Sequence, residues 1–125
     1  MGLVCNDDFY RSSIYNCMLL VIYFVKKLKE KGNIMSILSD EKINEELSNM
    51  DGWIFKDNQV SKSYDFDKYM DGIKFVNVLA RVAEEVNHHP DLVVGWCKVS
   101  VSFTSHDQGG VTSDCISMAK TVDKL

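Results

Sequence analysis

The chain has a single proline, Pro90, at a junction that restricts the fold more than any other feature: an amphipathic stretch precedes it and a β-branched stretch follows. In "DFDKYMDGIKFVNVLARVAEEVN" the apolar residues Phe66, Tyr69, Ile73, Val76, Ala80, Ala83 and Val86 recur every three or four positions, the spacing of one buried helical face. Pro90 is expected to stop this helix, since the residue before a proline is pushed out of the α region. After it, "LVVGWCKVSVSFTS" sets Val99, Val101 and Phe103 against Lys98, Ser100, Ser102 and Thr104, the alternation of a strand with one buried face.

The flanking segments extend the same pattern. Ser39 is a good N-cap for "DEKINEEL", with Asp40 and Glu41 where the helix dipole favours acids, so a short helix is expected to run to about Ser48. "GWIFKDNQVSKSYDF" reads as a two-stranded hairpin turning at Asn58-Gln59. Gly109-Gly110 breaks the chain again, and Thr112 caps a last helix, "SDCISMAKTVDKL", with Ile116, Ala119 and Val122 on its apolar side. No strand-helix-strand alternation is long enough for a doubly wound parallel sheet. The expected class is α+β, with helices on one face of an antiparallel sheet.

Composition excludes several kinds of protein. A chain of 125 residues that is 46% apolar and 26% charged has the profile of one globular core, which needs no disulfide or metal to hold it. Cys5, Cys17, Cys97 and Cys115 are widely spaced without a CxxC pair, as expected of free thiols in a reducing, cytoplasmic compartment. A net charge of -4 and no Lys/Arg stripe in the body of the chain argue against direct nucleic-acid binding. The run "IYNCMLLVIYFV", Ile14 to Val25, is shorter than the roughly 20 residues a helix needs to cross a bilayer. It also lacks a basic n-region and a small-residue cleavage site, so neither a secretory signal nor a membrane anchor is expected. Residues 1–35 therefore read as an appended apolar helix, stopped at Gly32-Asn33, and residues 36–125 as the folded domain.

Two of the three histidines, His88 and His89, stand directly before Pro90, and whether His106 can join them depends on the path of the chain between. Were Leu92 to Ser105 one straight strand, a rise of about 3.3 Å per residue would hold His88 and His106 tens of ångströms apart. A turn near Gly95 to Lys98, centred on Cys97, would instead bring His106 back opposite His88. Three chemistries then compete. The rings could be surface groups capping the last helical carbonyls. They could be zinc or iron ligands with Glu84, although neighbouring residues at a helix end point apart and converge poorly on one ion. Or they could transfer protons without a metal, for which imidazole is suited.

Glu84, "HHP" at 88 to 90, Trp96, His106 and the following "DQGGVT" keep their spacing together with "GW" at 52 to 53 and the long helix, and in this the chain resembles the pterin-4a-carbinolamine dehydratases over residues 36–125. The resemblance implies a four-stranded antiparallel sheet with three helices on one face. It also implies loss of water from a 4a-hydroxytetrahydropterin to give quinonoid dihydropterin, with the pterin as substrate and no further cofactor. On that basis His88 and His106 would serve as proton donor and acceptor, His89 would hold the ring, and Glu84 would orient His88. Asn87, Pro90, Thr104, Ser105 and Asp107 would line the pocket, and Trp96 would fill the family's aromatic position. The family's aspartate near the start of the last helix is replaced by Cys115; either Asp114, one position earlier, substitutes for it imperfectly or the capping box is simply weaker, and a thiol at a helix N-terminus could have a lowered pKa. A homodimer or homotetramer is implied, and the non-enzymatic alternative is a dimerisation cofactor for a transcription factor, which would place the chain in the nucleus.

Overall fold

In a computed structural model of the protein, residues 19–23 and 36–125 are described; residues 19–23 are helical, and the rest of the expected N-terminal helix lies outside the described residues. The chain divides into two units, Met1–Gly32 and Asn33–Leu125. Within the second, the order is α1 (Asp40–Leu47), β1 (Ile54–Lys56), β2 (Gln59–Asp65), α2 (Tyr69–Val86), β3 (Asp91–Gly95), β4 (Lys98–Phe103) and α3 (Ser113–Val122). All strand pairs are antiparallel, in the order β1-β2-β4-β3, which is the expected α+β class.

The alternation read in β4 is the core of the sheet. Val99, Val101 and Phe103 are fully buried, joined by Val60 from β2, while Ser61, Ser63, Ser100 and Ser102 lie on the opposite face. The helices close over the apolar face with Ile43 and Leu47 from α1, Leu79, Val82, Ala83 and Val86 from α2, and Ile116, Met118, Ala119 and Val122 from α3. Ser39 caps α1 as expected, its hydroxyl accepting the Lys42 amide at 3.3 Å.

Three local expectations are corrected. The first hairpin turns at Asp57-Asn58, one residue earlier than read. Both residues take left-handed φ of 52° and 58°, as a two-residue turn matched to the twist of its strands requires. Helix α2 buries Gly72, Leu79, Val82, Ala83 and Val86, whereas Tyr69 and Ala80 are exposed and Phe66 precedes the helix. Apolar residues cover more than one stripe of α2, so spacing alone could not show which stripe meets the sheet. Finally, α2 ends before Pro90 has any influence. Asn87 adopts φ 52°, its amide donates to the Glu84 carbonyl at 3.2 Å, and the His88 amide donates to the Ala83 carbonyl at 3.1 Å. This is a left-handed C-terminal cap built on asparagine, and Pro90 only bars the helix from resuming.

The β3–β4 hairpin does turn near Cys97, as expected. Its pairing runs from Gly95↔Lys98 to Asp91↔Ser102, so the centre lies between Trp96 and Cys97, with Cys97 at φ 54°. A two-residue loop has no central residue, hence the half-residue offset from the reading.

Candidate active site

The C-terminal cap of α2 decides where the histidines go. Once Asn87 reverses the backbone, His88 turns inward and stacks on Phe103, the last residue of β4, with ring centroids 5.8 Å apart and 13° between planes. Its Nε2 atom is sealed from solvent. Trp53 packs on the same Phe103 at 6.2 Å, so His88 rests against the aromatic end of the core. His89 turns outward, where its Nε2 lies 2.8 Å from Glu84 Oε2.

That contact corrects one expectation: Glu84 partners His89, not His88. On an uninterrupted helix, residue 88 would sit one turn above residue 84. The left-handed Asn87 breaks that stacking, turns His88 inward and brings His89 back over the glutamate.

His106 arrives from the other side of the sheet end. Beyond β4, the Thr104 hydroxyl donates to the Asn58 carbonyl at 2.8 Å, tying the strand end to the β1–β2 turn. A loop then closes between Ser105 and Gly110, the Ser105 amide donating to the Gly110 carbonyl at 2.8 Å and the Gly109 amide to the Ser105 carbonyl at 2.7 Å. The two glycines suit the loop in different ways. Gly109 takes φ 73°, and a Cβ on Gly110 would come within 3.0 Å of Ile37 Cγ2. The loop carries His106 and Asp107 exposed at its tip, and His106 Nε2 lies 3.4 Å from Asp91 Oδ2.

One end of the β3–β4 hairpin therefore gathers Glu84, His88, His89, Pro90, Asp91 and His106, with Thr104 and Ser105 leading into the same loop. Trp96 is not among them. It is 85% exposed at the other end of the hairpin, five residues and roughly 16 Å of strand from Asp91. Asp114 does not take over the capping role, because the Thr112 amide donates to Cys115 Sγ at 3.5 Å and the Thr112 hydroxyl lies 3.6 Å from the same sulfur. Cys115 is fully buried, and burial pushes its thiol up rather than down, which corrects the expected reactive thiol. Among the described residues, no three histidine, cysteine, aspartate or glutamate side chains are placed to hold a metal ion. A cleft at the ends of α1 and α3, lined by Glu45, Glu46, Asp51, Lys120, Asp123 and Lys124, carries mixed charge and no imidazole.

Two contributors were missed in the sequence, Phe103 and Asp91. The signal for Asp91 was available: a hairpin turning at Trp96-Cys97 sets residue 91 opposite Ser102, four residues before His106.

The geometry can be set beside known proteins. A family model described as pterin 4 alpha carbinolamine dehydratase matches residues 36–125, nearly three quarters of the chain. The chain belongs to this family. A relative from Aquifex aeolicus, provisionally named a pterin-4-alpha-carbinolamine dehydratase, is 40% identical over 88 residues, 70% of this chain and 89% of the relative. One from Sulfurisphaera tokodaii with the same provisional name is 37% identical over 91 residues, 73% of this chain and 98% of the relative. Among solved structures, a transcriptional coactivator/pterin dehydratase from Brucella melitensis superposes with a TM-score of 0.67 at 29% identity, covering 70% of this chain and 96% of that one. The match over residues 36–125 includes every histidine of the chain.

Proposed function

We propose that the chain is a 4a-hydroxytetrahydropterin dehydratase. The observation that carries this reading is the gathering of all three histidines at one end of the β3–β4 hairpin, in a chain of the pterin carbinolamine dehydratase family. In the reaction, N5 of the pterin ring loses a proton, the C4a–O bond breaks, and the hydroxyl leaves as water after receiving a proton. The N5=C4a double bond of quinonoid dihydropterin forms in its place. Atoms balance with one proton accepted and one delivered, so a pair of acid–base groups suffices without metal or cofactor.

His88 and His106 are the proposed catalytic pair. His88 is held by its stack on Phe103 and His106 stands at the mouth of the site, so a flat bicyclic ring has one fixed and one exposed imidazole to meet. His89, with Glu84 at 2.8 Å, would hold the pterin through its polar edge. Asn87, Pro90, Thr104, Ser105 and Asp107 would line the remaining sides. In this reading Trp96 and Asp114 act on the substrate only from a distance or through a second subunit. A homo-oligomer is part of the proposal: edge strand β3 leaves Val93 70% exposed, with unpaired backbone along one side, and the turn after it leaves Trp96 85% exposed. A cytoplasmic location suits a pterin-recycling enzyme, and no helix among the described residues is long and apolar enough to cross a membrane.

A second reading, a protein-interaction cofactor in transcription, is favoured by one observation, the Brucella melitensis neighbour described as both coactivator and dehydratase. The two separate cleanly. Purified full chain mixed with synthetic 4a-hydroxytetrahydropterin should accelerate its dehydration, and His88→Ala and His106→Ala should each abolish most of that gain, by 10² or more. A chain that does not accelerate dehydration but binds a transcription factor equally well with both histidines replaced would establish the second reading instead.

A further inference from the structure

Each exposed histidine of the site has its own carboxylate, and the two carboxylates are mounted differently. Glu84 projects from the last turn of α2 with its side chain 80% exposed. Asp91 is the first residue of β3, paired with Ser102, and the Ser102 hydroxyl donates to the Asp91 carbonyl at 3.4 Å. Pro90 precedes it and fixes the approach of the chain. The carboxylate thus stands on a strand, while the imidazole it meets, His106, stands on a loop with its side chain 72% exposed. An exposed ring on a loop rotates freely about two bonds unless something holds it. The contact its Nε2 makes is with Asp91 Oδ2, at 3.4 Å.

We propose that Asp91 is a positioning residue for His106, taking the Nε2–H and so committing Nδ1 as the nitrogen that meets the substrate. Which nitrogen of an imidazole reacts is set by the hydrogen bond that the other one makes. With Nε2–H given to Asp91, the neutral ring keeps its lone pair on Nδ1, able to accept a proton. The protonated ring returns that proton from Nδ1 to a departing hydroxyl while Nε2–H stays in place. A separation of 3.4 Å is an ion-pair contact rather than a short hydrogen bond, and such contacts tighten when a ligand closes the site. The inference rests on the acid–base role proposed for His106, and its test has one arm that does not depend on turnover.

That arm is ¹⁵N and coupling-constant NMR of the full chain. In the unsubstituted protein the neutral His106 ring should be one tautomer, protonated at Nε2, with a single χ1 rotamer. In Asp91→Ala it should average over rotamers and show a mixture of tautomers, while Glu84→Ala leaves it unchanged. Asp91→Asn, which keeps an acceptor at the same place, should restore the single rotamer. The kinetic arm predicts that Asp91→Ala lowers kcat roughly tenfold, as loss of a histidine's orienting partner does elsewhere, and that Asp91→Asn recovers part of it. KM should move by no more than about twofold, since substrate contacts are kept. A His106 ring protonated at Nδ1, or one equally ordered in Asp91→Ala, overturns the proposal. If the chain proves not to dehydrate the pterin, the dehydratase reading falls and the NMR arm alone decides the role of Asp91.

Discussion

Cys115 shows how a single substitution can keep its structural part while losing its chemistry. The family's aspartate at this position would offer a carboxylate; the thiol here accepts the Thr112 amide and packs fully buried at the start of α3. The pairing of an N-cap with the third helical residue is retained, with sulfur in place of oxygen. In a chain with Cys5 and Cys17 changed to serine, a thiol reagent should label Cys97 in the native state and Cys115 only on unfolding. Rapid native labelling of Cys115 would contradict its burial. Cys115→Ala should lower stability by about 1 kcal/mol, the usual cost of losing a cap, read as a fall in Tm of several degrees. The sequence disclosed the histidines as a group but not their partners. Glu84 was assigned to His88 because four-residue spacing places them together on a regular helix. The left-handed Asn87, which reassigns Glu84 to His89, is invisible to periodicity.

At the scale of elements, the most readable were those with a strict period or a cap. The alternation of β4, the Ser39 cap of α1 and the buried side of α3 appear as read, because each depends on neighbours in sequence. The turn centres and the buried stripe of α2 depended on which residues the sheet presents, which sequence spacing does not encode. The helix that aims the histidines depends on Asn87 at φ 52°. Asn87→Ala should therefore cost about 1 kcal/mol and Asn87→Gly should not, since only the former puts a side chain poorly suited to the left-handed region there. Equal stability of both variants, measured by denaturant unfolding, would deny the cap its role. The far end of α3 is fastened by Asp123, whose carboxylate accepts from Trp53 Nε1 at 3.0 Å, Lys62 Nζ at 2.7 Å and the Tyr64 hydroxyl at 2.6 Å. Burial opposes the charged form, but hydrogen bonds from Lys62, Tyr64 and Trp53 outweigh it and hold the Asp123 carboxyl below its ordinary value. A carboxyl depressed in the folded state adds stability above its unfolded pKa, and that contribution is lost as pH falls through the lower folded pKa. Asp123→Asn should lose stability at neutral pH and approach the parent chain in strong acid. A constant difference between the two at all pH values would refute the account.

For the molecule as a whole, the division of labour follows the sheet. One face and its helices are apolar and hold the fold; one end of the β3–β4 hairpin carries the histidines; and the edge strand β3 is left open. The class of fold could be read from the order of elements, and the histidine cluster from the turn between two strand segments. The position of Trp96 could not, because a short spacing along the chain becomes a separation of a whole strand once the hairpin forms. The central claim is that the gathered histidines dehydrate a 4a-hydroxytetrahydropterin. The most direct test is the rate at which the full chain, and its His88→Ala, His106→Ala double variant with the fold verified by circular dichroism, convert that substrate to quinonoid dihydropterin. The account predicts strong acceleration by the parent chain and a rate near the uncatalysed one for the double variant; turnover by the double variant equal to the parent's would contradict it.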